Sequence, residues 1–88
     1  MTQTVAEILS AADDSVTLIN GIDDGSIVRS DLTQDEINSM VQQNVDHLEI
    51  ILAYDGENDK PDVAGSSDDK SSYTTAITTG NTYISNNS

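Results

Sequence analysis

The chain has no cysteine, no tryptophan and no phenylalanine, and it has a single proline. Without cysteine there can be no disulfide and no thiolate metal site. Without Phe and Trp the side chains that dominate most cores are missing, and three Tyr are the only aromatics. Basic residues are equally scarce. Three Lys and Arg face sixteen Asp and Glu, for a formal net charge of −13. Such a surface repels phosphate, so neither nucleic acid nor an anionic membrane is expected as a partner. It favours basic proteins, cations or plain solubility. Long hydrophobic runs are absent too, and none approaches the roughly 20 apolar residues of a membrane span. No basic stretch precedes Val5, so no signal peptide is expected and synthesis is placed in a cytoplasm.

At 88 residues the sequence reads as one small domain, 1–88. Chains of this size bury a small fraction of their surface and lean on a disulfide, a metal or a partner for stability. With disulfides excluded, a protein partner is the most economical support.

The apolar residues follow a helical period. Val5, Ile8, Leu9, Ala12, Val16 and Ile19 share one face, and Thr4 with Glu7 has the form of a capping box. These predict a helix over 4–20, stopped at Gly21; the Val and Ile content leaves a strand over 15–22 as the alternative. Asp24-Gly25 marks a turn, with Ile27 and Val28 packed beneath it or briefly extended. The second helix, over 33–54, carries the strongest pattern. Thr33 and Glu36 repeat the capping box, and Leu32 with Ile37 has the spacing of a hydrophobic staple. Ile37, Met40, Val41, Val45, Leu48, Ile51 and Leu52 then form a continuous stripe. Leu32, Ile37, Val41, Val45, Leu48 and Ile51 are the expected core. Ile50 lies off the stripe and suggests a second buried face, and Gly56 is placed to stop the helix.

A polar loop is expected over 55–71, with Val63 and Ala64 as its only apolar anchor. The remaining chain, to Ser88, has no charged side chain. Tyr73, Ala76, Ile77, Gly80, Tyr83 and Ile84 recur at helical spacing, which favours a helix over 72–85. Its threonines and Gly80-Asn81 fit a β-hairpin instead. The expected fold is therefore all-α, a bundle of two or three helices with a long polar loop. The alternative is α+β with a C-terminal hairpin. Interface cores are depleted of charge and rich in Tyr, so Tyr73, Ile77, Tyr83 and Ile84 are expected to dock the chain onto a partner.

Candidate chemistry is thin. His47 is the only histidine, and on a helix Asp46 and Glu49 do not face it. A packed or interface histidine is the expectation, since a catalytic one needs several convergent groups. Asp55, Glu57 and Asp59 have the alternate spacing of a calcium loop. Lys60 and Ser66 stand where an EF-hand needs Gly and Glu, so a solvated loop is expected in place of a metal site. No phosphate loop, nucleophile elbow or His pair occurs. The sequence asks for no enzyme, no cofactor and no metal.

The run Val41-Gln42-Gln43-Asn44-Val45-Asp46-His47-Leu48-Glu49-Ile50-Ile51-Leu52-Ala53 resembles short tailed-bacteriophage structural proteins with an Asn-Val-x-His-Leu-Glu helix. Their Ala-Ile-x-x-Gly-x-x-Tyr-Ile ending is matched by Ala76-Ile77-Thr78-Thr79-Gly80-Asn81-Thr82-Tyr83-Ile84. The resemblance covers residues 33–84; the Thr-rich ending and the extreme acidity depart from it. It implies a minor virion component, a head decoration or tail-associated adaptor, made in a host cytoplasm and present in several copies beside other virion proteins. It carries over no catalytic residue. The alternative reading is an acidic effector that mimics DNA charge and occupies a basic host protein.

Overall fold

Two threonines start the first two helices. In the computed structural model, which describes residues 3–88, Thr4 is extended and its hydroxyl accepts from the Glu7 amide at 3.1 Å. The Glu7 carboxylate accepts from the Thr4 amide at 2.9 Å in return. Helix α1, Val5–Asp24, follows. Thr33 and Glu36 form the same reciprocal pair, at 3.1 and 2.9 Å, ahead of α2, Gln34–Leu52. Each box satisfies two amides that the first helical turn would otherwise leave unpaired.

The first helix runs past Gly21 and ends three residues later, at Asp24. Gly21 is buried within α1, and a β-carbon there would collide with the Ile27 side chain. The missing side chain lets Ile27 fold back onto the helix, with its amide donating to the Gly21 carbonyl at 2.9 Å. The stop is Gly25, whose φ of +83° is favoured by a residue without a β-carbon. Ile27 packs on the core, whereas Val28 points into solvent. The second helix likewise ends ahead of Gly56. It closes at Leu52, with the Ala53 amide donating to the Ile50 carbonyl at 3.2 Å.

The C-terminal segment is a helix, α3, Ser71–Asn86, and the hairpin alternative falls away. Threonines are poor helix formers, so tertiary packing decides the matter. Tyr73, Ala76 and Gly80 are buried on the inner side of α3, with Ile77, Tyr83 and Ile84 partly buried beside them. A β-carbon at position 80 would come within 2.5 Å of Val45 Cγ2 and 3.3 Å of Val41 Cγ1. Gly80 is thus used for close helix approach and not for a turn.

All three helices pack on one another, around a core that includes Ile8, Leu9, Ala12, Ile19, Val41, Val45, Leu48 and Ile51. The bundle measures 38 × 24 × 20 Å. Ile37 lies at the core margin, partly buried. Leu32 falls outside the core: it belongs to the turn before α2, where its amide donates to the Arg29 carbonyl at 3.1 Å. Ile50 is 58% exposed, so α2 has one buried face and not two.

Residues 53–70 cross the bundle without helix, yet they are pinned. Val63 is fully buried, and the Ala64 amide donates to the Tyr54 carbonyl at 2.8 Å. Between these ties, Asn58 and Asp59 both have positive φ, 56° and 62°, and the Lys60 amide donates to the Glu57 carbonyl at 3.0 Å. Two left-handed central residues make a tight turn for which Asn and Asp are suited.

Candidate interaction surface

Every Asp and Glu of the chain is exposed. Nearly all the carboxylates keep their water, as expected when charge is costly to bury without a partner. The bases are already engaged. Arg29 makes a two-pronged contact with Asp31, at 3.0 and 2.9 Å, the one ion pair among the described residues. These bonds hold the Asp31 carboxyl below the usual carboxylate range and raise the guanidinium. Lys60 stands 5.5 Å from the centre of the Tyr54 ring. Lys70 donates to the carbonyls of Ser66 at 2.8 Å and Asp68 at 3.3 Å.

The acids sit on α1, on α2 and on the connecting segments; α3 has none. The outward side of α3 is made of Ser72, Thr75, Thr78, Asn81, Thr82 and Ser85, all exposed. Thr78 turns its hydroxyl back to the Thr74 carbonyl at 3.3 Å. The protein thus carries one uncharged strip on an otherwise anionic exterior.

The four residues expected to dock a partner lie on the other side of that strip. Tyr73 is 6% exposed and belongs to the internal core. Its hydroxyl donates to Asp13 Oδ1 at 2.7 Å, tying α3 to α1. Burial first, and then the bond to the Asp13 carboxylate, push its phenol up to about 12. Ile77, Tyr83 and Ile84 rest against the core, and Tyr83 accepts a hydrogen bond from Gln34 Nε2 at 2.9 Å. The charge-free segment makes contacts inside the chain, with Tyr73 buried and Ile77, Tyr83 and Ile84 partly buried.

Two interactions have only faint traces in the sequence. Ser15, buried on α1, donates to Asn44 Oδ1 at 2.9 Å, and Asn44 Nδ2 donates to the Met40 carbonyl at 2.9 Å. This polar clasp joins α1 to α2. A serine within an apolar stripe was its only signal. Asn44 and Val45 of the first motif face the bundle, and Val45 meets Gly80 of the second. Both motifs therefore coincide with helix packing.

His47 is exposed, so it is not packed in the core, and it makes no side-chain hydrogen bond among the described residues. Asp55 accepts from the Glu57 amide at 3.2 Å, and Asp62 from the Gly65 amide at 2.8 Å. The loop acids serve turns, and no group of three or more potential ligands gathers among the described residues. Among them, too, no helix is long and apolar enough to cross a membrane. Comparison with known proteins gives no match to a family model, to a curated protein or to a solved structure.

Proposed function

We propose that this chain is a minor structural component of a tailed-phage particle, a head decoration or a tail-associated adaptor, acting through protein–protein contacts alone. The observation that carries the contact reading is the uncharged outer side of α3 on an exterior where every carboxylate is exposed. A partner seated there strips water from hydroxyls and amides, which is far cheaper than stripping it from carboxylates. Charge is depleted at the centres of protein interfaces for the same reason. The particle itself is suggested by the resemblance of residues 41–53 and 76–84 to phage structural proteins.

Mass spectrometry of purified particles is the test, run with wild type and with Thr75→Asp plus Thr82→Asp. The expected result is a fixed copy number for wild type. The double variant should be lost from particles while its circular dichroism is unchanged. Absence of the wild-type chain from particles overturns the particle reading. Full incorporation of the double variant moves the contact away from α3.

A second reading is favoured by one observation: among the described residues, Asp31 is the one carboxylate with a basic partner. An acidic effector that covers a basic host protein would use the others. Its binding should weaken steeply with salt, as screening shortens the reach of exposed charge. Pull-down of a basic host protein by a chain absent from particles would support this alternative.

A further inference from the structure

Three Xaa-Gly pairs in the chain have the chemistry for succinimide formation: Asn20-Gly21, Asp24-Gly25 and Asp55-Gly56. In this reaction the glycine amide nitrogen attacks the side-chain Cγ of the preceding residue. A C–N bond forms, and water leaves from Asp, or ammonia from Asn. Water then reopens the ring at either carbonyl, giving aspartate or isoaspartate. No other reactant is needed. Glycine favours the step because no β-carbon hinders its nitrogen.

By residue type alone Asn20-Gly21 ranks first, since an amide loses ammonia more readily than a carboxylate loses water. The fold reverses that order. Asn20 and Gly21 lie inside α1, and Gly21 is buried against Ile27. Helical dihedrals and an occupied amide keep the ring from closing. Asp24 is the last residue of α1, with its carboxylate accepting from the Ser26 amide at 2.8 Å. The Ile27-to-Gly21 hydrogen bond at 2.9 Å locks the chain just beyond it.

Asp55-Gly56 has the same kind of carboxylate-to-amide contact as Asp24, but no helix on one side and no locking hydrogen bond just beyond it. Both residues are exposed and outside any helix, and the Gly56 amide makes no hydrogen bond among the described residues. The Asp55 carboxylate reaches the Glu57 amide at 3.2 Å, which curls it over the intervening Gly56 peptide. We propose that Asp55-Gly56 is the site at which the folded protein isomerises spontaneously to isoaspartate, a substrate for protein-isoaspartate methyltransferase. The product adds one methylene to the main chain with no change of mass or charge. The turn at Asn58 and Asp59 lies between this site and the Val63 anchor, so the extra length is taken up without disturbing the core.

The full-length chain is aged at neutral pH, native and in denaturant, and labelled with protein-isoaspartate methyltransferase and a radioactive methyl donor. Peptide mapping then locates the label. In the native sample the label should lie on the peptide containing Asp55; in denaturant it should shift chiefly to the peptide containing Asn20. Asp55→Glu keeps the charge but requires a larger ring, and should lose the native label. Asp24→Glu should keep it. Native label chiefly on Asn20 or Asp24, label that persists in Asp55→Glu, or no native label at all would overturn the assignment.

Discussion

Gly80 sets how closely α3 approaches α2, because Val45 and Val41 occupy the space where a β-carbon would stand. Gly80→Ala should therefore destabilise the protein by about 1–3 kcal/mol, as overpacking does, even though alanine is the better helix former. Chemical denaturation of the two proteins measures the difference. Leu48 is fully buried, and Leu48→Ala should cost about 2–5 kcal/mol in the same assay. Tyr73 offers a pH test. Its phenol is raised from 10.0 to about 12 in the folded chain, so the fold favours the protonated form. Its contribution is complete below about pH 10 and is lost as pH rises through about 12. Wild-type stability should fall across that window more steeply than the stability of Tyr73→Phe. Parallel curves would mean that the phenol titrates alike in the folded and unfolded chains.

At the scale of elements, the ease of reading each helix followed the range of the interactions that make it. Helices α1 and α2 begin with capping boxes built within four consecutive residues, so local spacing was enough to place their starts. The α3 helix has Lys70 at its cap position with no side-chain bond, and its identity depends on Val45, Val41 and Asp13, all distant in sequence. Local pattern therefore left helix and hairpin in competition. The same distance hid the role of Tyr73, whose partner Asp13 is 60 positions away. A charge-free segment marks burial, but composition does not tell burial inside a chain from burial between chains. Gly21 misled for a related reason: it is a glycine for close approach, and a sequence shows glycines without their neighbours. The loop was legible as polar over 55–71, with Val63 and Ala64 as its anchor; Val63 is buried as expected, whereas the Ala64 side chain is exposed and only its amide ties the loop. Val63→Ala should loosen that anchor while the three helices persist. Limited proteolysis should then cut within residues 53–70 faster than in wild type, with nearly unchanged circular dichroism. Equal cutting rates would show that the Tyr54–Ala64 hydrogen bond holds the loop without Val63.

The whole molecule carries −13 at neutral pH, with one ion pair among the described residues, so folding gathers like charges with little compensation. Sodium chloride should raise the melting temperature as it screens them over about 10 Å at 0.1 M. Calcium at matched ionic strength should add no saturable shift, because the loop acids are spread among turns. A saturable calcium shift abolished by Asp55→Asn with Asp59→Asn would instead reveal a specific cation site. The lack of charge on α3 has a further effect that involves no binding site. With the negative charge on two of three helices and the loops, the outer side of α3 is the side of the molecule without charged side chains. A positively charged surface exerts a torque on the molecule during approach, before any contact is made. The protein arrives turned, with α1, α2 and the loops toward the surface and Ser72, Thr75 and Thr82 facing away.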